Sequence, residues 1–388
     1  AYEIYQCDWS SDVCSSDLPG LAGYVREGMG DFIGFISAIF YWVMCWVGNV
    51  GVAVATTGYL AHFFPAIATG WPAAWTSVAI VLFFTALNLI GAKFVARLSG
   101  VATFLGLLPL LLVGIGGWLW FNPQMWAESW NVSGKPAVDA VQDSFSQIFW
   151  AFLGVETAAV AASVVRNPQR NVPLATVGGV LIAAAVYVAA CTVMMGLVPA
   201  AQLANSSAPF ADAVARFFTP AAAGLVAVCA LIKTSGTLNG WVLVTAETAE
   251  SAAEIGLFPS LFARAPGRKA PRANLVITAF LMSAVALGTV APKIGEQFST
   301  IINLTVVLAL FVFAFASIGL LRLAGAMLPR KRLGYRMAAL VGLGFCVWVI
   351  AQSDLKTWAF VGMTGAISAG LYLARLMARG GRGLPVDD

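Results

Sequence analysis

The chain has 388 residues with 22 Lys and Arg against 18 Asp and Glu, a net charge of +4, and it is 60% hydrophobic and only 10% charged. Soluble domains are about 45–50% apolar and 25% charged, so this composition excludes a soluble protein and any soluble catalytic domain. Apolar runs of about 20 residues, long enough to cross a bilayer as helices, recur along the sequence. We therefore predict an all-α membrane protein.

The first 18 residues differ from the rest. They contain a near-repeat, SSDVCSSDL, and lack both the apolar core and the leading basic residues of a signal peptide. They look like translated adapter DNA joined to a reading frame. We interpret residues 1–18 as a non-native segment and 19–388 as one transmembrane domain whose natural start lies upstream.

Ten membrane-spanning helices are predicted after this segment. Gly and Pro mark the joints between them, and longer connections lie at 122–140 and 199–220. The predicted spans are 32–62, 74–96, 99–121, 141–166, 173–198, 221–250, 273–291, 298–322, 334–352 and 356–378.

The basic residues are concentrated on one side of these spans. One set of helix ends holds 17 of the 22 Lys and Arg, and the other set holds only Lys135, Arg216, Lys293 and Lys356. The positive-inside rule places the first set, with the C-terminus, in the cytoplasm. The basic balance thus reflects membrane topology and predicts no nucleic-acid partner.

Motifs of enzymes and cofactor sites are missing from the sequence. It has no HExxH, no CxxC and no Gly-rich phosphate loop, and its one histidine, His62, falls at a predicted helix end. We therefore expect neither an enzyme nor a metal or cofactor. Polar residues inside apolar segments are the better guide, because a transporter must line its pathway with them.

Glu156 is the first such residue, because it is a lone carboxylate in an apolar segment, two residues after Gly154 and six after Trp150. An acid in hydrocarbon costs roughly 2.5–3.5 kcal/mol, so it usually faces a protein interior or a wet cavity. We interpret Glu156 as a titratable gate that exchanges a proton against a cationic substrate or senses pH. The alternative is a packing acid satisfied by a neighbouring hydroxyl.

A second candidate face follows from helical spacing. Lys233, Thr237 and Trp241 recur every four residues, which keeps them within roughly 80° of one helix face. Trp241 and Trp150 would each bind a cation over an indole ring. Other tryptophans of the chain lie near one predicted membrane surface as anchors, but these two lie deeper. Lys233 lines the pathway or extends its ammonium towards water. Asn49 needs buried partners, and tying helices together is the simpler interpretation of it.

Several segments together resemble a known family. FYWVMCWVGNVGVAVATTGYL and the GVE…NPxRNVP block within FWAFLGVETAAVAASVVRNPQRNVP are similar to the basic amino acid and polyamine antiporters of the amino acid-polyamine-organocation (APC) superfamily. Those that exchange arginine for agmatine are the most similar. The likeness runs from about residue 24 to the C-terminus.

The resemblance implies the twelve-helix inverted-repeat (LeuT-like) fold, with the first and sixth helices broken at mid-membrane. Our ten helices match its helices 3–12, so the chain is expected to lack the first helix and most of the second. The broken sixth helix would be 141–166, interrupted near Gly154. A homodimer is also implied.

The resemblance further implies a substrate site. Trp150 would cover the substrate, Trp241 would pack on its distal part, and Asn49 would contact its guanidinium or amine head. Leu153 would line the aliphatic stem. The implied substrate-binding positions are Asn49, Trp150, Leu153, Thr237, Trp241 and Thr305.

Gating positions are implied as well, with two departures from the family pattern. Glu156 with Tyr41 would form an outer, pH-sensitive gate. Phe313 stands where arginine-type members carry a tyrosine, so one gate hydroxyl is lost. Lys233 replaces a small neutral residue near the cation position of sodium-coupled relatives, and its ammonium would substitute for that sodium.

The resulting expectation is a secondary active transporter of the bacterial inner membrane. It would exchange a cationic amino acid for its decarboxylated amine by alternating access, with arginine and agmatine as the first pair. Ornithine/putrescine exchange, lysine/cadaverine exchange and proton-coupled amino acid uptake are alternatives. A different class of outcome is a truncated remnant that does not transport.

Overall fold

The computed structural model describes residues 20–89, 92–157, 167–254, 256–263, 272–326 and 329–380. These residues form helices and their connections, and no strand occurs among them. The all-α prediction is confirmed. The segment 1–18, which we interpret as non-native, and residues 158–166 of the predicted span 141–166 lie outside the described residues.

Fifteen α-helices occur in the described part of the chain. In order they are α1 (Gly20–Met29), α2 (Asp31–Ala61), α3 (Gly70–Asn88), α4 (Ala92–Leu111), α5 (Pro123–Ser129), α6 (Ala137–Asp143), α7 (Phe145–Trp150), α8 (Pro168–Leu197), α9 (Ala200–Leu203), α10 (Pro209–Phe217), α11 (Pro220–Glu254), α12 (Arg272–Gly288), α13 (Ile294–Leu323), α14 (Pro329–Ile350) and α15 (Leu355–Gly380). Five residues of π-helix, Leu112–Gly116, and a 3-10 turn, Gly117–Trp120, extend α4.

Eight helical segments of the described chain are long and apolar enough to span a membrane. They account for eight of the ten predicted spans. A further predicted span, 273–291, corresponds to α12. Its 17 residues lie at the short end of the roughly 17–25 that a spanning helix needs. In the tenth, at 141–166, the described residues 141–157 are broken into short pieces.

One predicted boundary is wrong. The span 74–96 was expected to be continuous, but α3 ends at Asn88 and α4 begins at Ala92. The side-chain amide of Asn88 donates to the Phe84 carbonyl at 2.8 Å and to the Asn239 carbonyl at 3.1 Å. Asn88 thus satisfies a carbonyl of the last turn of α3 and ties this helix end to α11.

α2 occupies the centre of the bundle. Its apolar stretch is 83% buried, whereas that of α15 is only 17% buried. α2 packs against α11 and α13, and α1 packs against α13 so closely that a Cβ on Gly28 would lie 2.5 Å from Cα of Gly319. The central helix therefore has close neighbours on several sides, and the residues it carries are positioned by protein contacts.

Candidate functional site

The site is built around an interruption of helical structure, which we call the break, directly after α7. The helix ends at Trp150, residues 151–154 form turns, and 155–157 form a single 3-10 turn. Gly154 has a φ of +106°, which side chains of L-residues rarely allow. A Cβ there would also lie 2.9 Å from Cζ2 of Trp241. Both facts require glycine, and they confirm the interruption expected near Gly154.

Polar side chains satisfy the backbone groups that this break releases. Such groups cannot be left unpaired in an apolar setting. The Gly154 N–H donates to Oε2 of Glu156 at 2.8 Å, and the Thr157 hydroxyl donates to the Gly154 carbonyl at 2.5 Å. Tyr187 of α8 donates to the Ala151 carbonyl at 3.3 Å. Side chains therefore form hydrogen bonds with the backbone at both ends of the turn, at Ala151 and at Gly154.

Glu156 joins the break to the central helix. The phenol of Tyr41 on α2 donates to Oε1 of Glu156 at 3.1 Å, while Oε2 accepts the Gly154 N–H. Each carboxylate oxygen therefore holds a different element. The neighbouring hydroxyl foreseen for a packing acid is present, and it comes from the residue that the resemblance pairs with Glu156. The gate role of this pair stays a prediction.

Trp150 lies where α2 and α13 approach each other. A Cβ on Gly48 would lie 3.3 Å from Cγ2 of Thr305 and 3.9 Å from Nε1 of Trp150. The indole packs edge-on against Phe298, with ring centroids 5.5 Å apart. The Thr305 hydroxyl donates to the Ile301 carbonyl of its own helix at 2.8 Å. Gly48 thus brings Trp150 and Thr305 to one point beside Asn49.

Asn49 is tied to the helix that carries Trp241. Its side-chain nitrogen donates to the Thr245 hydroxyl at 3.1 Å, and this hydroxyl donates to the Trp241 carbonyl at 2.8 Å. Asn49 is only 2% exposed. The amide therefore links α2 to α11, as the simpler interpretation of the sequence holds, and its nitrogen is already engaged.

Three further predicted positions border this centre. Leu153 is half-buried in the turn and packs against the central apolar cluster. Thr237 is half-buried on α11, one turn before Trp241. Phe313 packs on Phe149, with ring centroids 6.0 Å apart, so it borders α7 through an apolar contact.

Lys233 contacts a different neighbour from Trp241. A Cβ on Gly106 of α4 would lie 2.2 Å from Cβ of Lys233, so the aliphatic stem of the lysine fills the space that this glycine leaves. Trp241, two turns further along α11, lies against Gly154. Sharing one sector of α11 therefore does not bring both side chains to the same element.

The sequence interpretation missed three residues of this arrangement. Gly48, Tyr187 and Thr245 each make a contact that holds a predicted site residue or its backbone. Thr245 follows Trp241 by four residues, so it had a helical-spacing signal. Gly48 and Tyr187 act through partners distant in sequence. Within the described residues, no group of three or more His, Cys, Asp or Glu is arranged to hold a metal ion.

Comparisons with known proteins agree with this architecture. The profile of the family described as Amino acid permease matches residues 16–374. The putrescine transporter PotE of Escherichia coli K12 is 30% identical over 355 residues, covering 91% of this chain and 81% of the relative. PotE of Haemophilus influenzae is 30% identical over 374 residues, covering 96% and 85%. The cadaverine/lysine antiporter of E. coli K12 is 29% identical over 352 residues, covering 89% and 76%. The chain therefore belongs to the amino acid permease family.

Proposed function

We propose that this protein is a secondary transporter that exchanges a cationic amino acid for its decarboxylated amine by alternating access. One observation carries the proposal: the carboxylate of Glu156 lies at the broken helix and is linked to the central helix through Tyr41. A negative group at such a break attracts a cationic substrate, and discontinuous helices form the sites of many secondary transporters. Membership of a permease family supports a transporter over an enzyme.

A diamine is our first choice for the amine. The printed names of the relatives, putrescine transporter and cadaverine/lysine antiporter, support ornithine/putrescine or lysine/cadaverine exchange. Phe313 supports the same choice, because its apolar contact with Phe149 offers no hydroxyl to a guanidinium. Arginine and agmatine form the second candidate pair, supported by the presence of Asn49, Trp150, Glu156 and Trp241.

The site residues have complementary tasks in this mechanism. The indoles of Trp150 and Trp241 provide faces for an ammonium group, each worth roughly 0.5–2 kcal/mol. The side-chain oxygen of Asn49 accepts from the amine head. A substrate ammonium competes with Tyr41 for Glu156, so arrival of the substrate releases the link between α2 and the turn after α7. Substrate binding is thereby coupled to movement of the broken helix.

Exchange of this kind responds to the membrane potential. The amine carries one more positive charge than the amino acid, so each cycle moves one net charge, worth about 2.3 kcal/mol per 100 mV. We propose the orientation given by the basic residues, with the C-terminus in the cytoplasm. The beginning of α13 and the connection between α14 and α15 then face the outside. A homodimer, implied by the family resemblance, would be detected by cross-linking in mild detergent.

The test is counterflow in proteoliposomes that contain the full-length gene product. Vesicles are loaded with putrescine, cadaverine or agmatine, and uptake of labelled ornithine, lysine or arginine is measured. We expect uptake only with an internal amine, fastest for a diamine pair, and loss of its pH dependence in Glu156→Gln. Glu128→Gln on α5, where Glu128 accepts a 3.4 Å hydrogen bond from Gln124, is the matched control. Folded protein that takes up none of the three amino acids above the level of empty vesicles overturns the proposal.

A further inference from the structure

A cavity of about 250 Å³ lies where α6, α7 and α13 meet the connection between α14 and α15. None of the residues assigned above to the substrate site lines it. Its lining residues are Gln142, Asp143, Phe145, Ser146, Asn303, Val307, Val349, Gln352, Ser353, Asp354 and Thr357. At about 30 Å³ per water molecule, this volume has room for a small organic molecule.

The cavity has an apolar floor and a polar mouth. Val307, Val349 and Thr357 are at most 7% exposed and form the floor. Asp143, Asp354 and Gln352 are exposed and form the mouth. A ligand that fits this gradient has a charged or polar end and an aliphatic body.

The charge of the mouth is negative. The Thr357 side chain, together with the Thr357 N–H that donates to Asp354 at 3.0 Å, holds the pKa of the Asp354 carboxyl below the ordinary value. Asp143 is paired with Lys135 at 2.6 Å, and Lys356 lies near enough to Asp354 to lower the pKa of its carboxyl further, but neither lysine lines the cavity. Among the described lining residues two are carboxylates and none is Lys or Arg. The mouth therefore attracts a cation.

An aromatic ring forms one wall. Phe145 lines the cavity and is fixed by edge contacts to Phe345 and Trp348, with centroid distances of 5.8 and 4.9 Å. An aromatic face at this position adds a cation–π contact for an ammonium group or an apolar surface for methylene groups. A hydrated inorganic cation would use neither.

We propose that this cavity is a second binding site, selective for a small organic cation with an aliphatic chain and at least one ammonium group. Asp143 and Asp354 hold the ammonium, and Phe145, Val307 and Val349 contact the chain. The choice of a diamine as the probe rests on the proposed function. In the orientation proposed above, the site opens to the outside.

The position of Phe145 gives the site a route to the gate. Phe145 is the first residue of α7 and Trp150 is the last, so one short helix connects the cavity wall to the indole at the break. A ligand that packs on Phe145 bears directly on the element that carries Trp150. The cavity thus serves as an outer loading site whose occupancy influences the gate.

The test measures protection of an introduced thiol. Ser353→Cys, on a half-buried lining residue, is labelled with a membrane-impermeant thiosulfonate in proteoliposomes, with the parent protein as the background for native cysteines. We expect putrescine to slow labelling at least fivefold, and 1,4-butanediol or MgCl₂ at matched ionic strength to leave it unchanged. Ser133→Cys, outside the lining, is the matched control and should not respond to putrescine. If Ser353→Cys is not labelled, Gln352→Cys, at the exposed neighbouring residue, replaces it in the experiment.

Additional substitutions, combined with the introduced cysteine, distinguish binding in this cavity from binding at the substrate site. Protection should persist with Trp241→Ala, and it should be lost with Asp354→Asn and weakened with Asp143→Asn. Equal protection by MgCl₂, loss of protection with Trp241→Ala, or full protection in both aspartate variants each overturns the proposal. Protection without any amine exchange would retain the cavity and reject the proposed function. Exchange without protection would reject the cavity alone.

Discussion

Tyr41 donates a hydrogen bond to Glu156 across 115 residues of sequence, so a single carboxylate couples the central helix to the turn that follows α7. The other oxygen of Glu156 accepts the N–H of Gly154 inside that turn. Any movement that separates the turn from α2 must break the Tyr41 bond. The pair is therefore placed to set how readily the broken helix moves.

The first prediction concerns Tyr41→Phe. Hydrogen bonds to charged groups contribute about 1.5–3 kcal/mol, so losing this one should shift the balance between linked and separated states by about 10-fold or more. We expect the pH at which exchange is half-maximal to shift in Tyr41→Phe. Exchange should be measured in proteoliposomes between pH 5 and 8. Tyr59→Phe, a half-buried tyrosine on the same helix, is the control. A variant with the parent pH profile would show that the link does not govern the gate.

The second prediction concerns Gly154→Ala. The φ of +106° and the 2.9 Å approach to Trp241 both oppose a Cβ, and strain of this kind costs about 1–3 kcal/mol. We expect a lower unfolding temperature in detergent and at least a tenfold loss of exchange. The matched control is Gly179→Ala in α8, where a Cβ meets nothing within 4 Å and should be neutral or slightly stabilising. A Gly154→Ala protein as stable and active as the Gly179→Ala protein would refute the requirement for glycine.

The fold was predictable because composition and helix length are local properties. Runs of apolar residues identify spans, and Glu156 is conspicuous because a buried carboxylate is costly. The break after Trp150 was not visible in the pattern, because only Gly154 marks it and the residues around it are as apolar as those of a helix. Only the family resemblance supplied it.

The features that the sequence left open depend on distant partners. The end of α3 at Asn88 depends on an amide that reaches Asn239, 151 residues away. Asn49 finds its partner, Thr245, 196 residues away. Helical spacing places Lys233 and Trp241 in one sector of α11. However, Lys233 contacts α4, whereas Trp241, two turns further along α11, contacts the turn after α7. Packing between helices, which spacing within one helix does not encode, decides all three.

The third prediction concerns Lys233, whose ammonium we propose to take the place of a sodium ion. In Lys233→Ala, exchange in sodium-free buffer should fall at least tenfold, and added sodium should restore part of it. Because the stem of Lys233 packs on Gly106, Lys233→Met is the matched variant that keeps this contact and removes the charge. Lys233→Met should show the same sodium response. Normal exchange by both variants without sodium would reject the proposal that the ammonium takes the place of a sodium ion.

The fourth prediction concerns Asp354, which lies just before α15. Its carboxylate accepts the Thr357 N–H at 3.0 Å, and removing such a cap costs about 0.5–2 kcal/mol. A hydrogen bond from the Thr357 side chain, together with this backbone bond, lowers the pKa of the carboxyl below its ordinary value of 3.8. The folded state therefore binds the proton less well than the unfolded state. The stabilisation is full above the ordinary value and is lost as the pH falls through the lower, folded-state value.

Asp354→Ala should thus lower the unfolding temperature at pH 7, and the difference from the parent protein should shrink as the pH is brought below 3.8. Asp354→Asn keeps an acceptor oxygen for the Thr357 N–H, so it should retain most of the stability at pH 7 and lose its pH dependence. Thermal unfolding in detergent at pH 7, 5 and 3 measures both. A difference between parent and Asp354→Ala that is the same at pH 3 as at pH 7 would mean that the charge of this cap contributes nothing to stability.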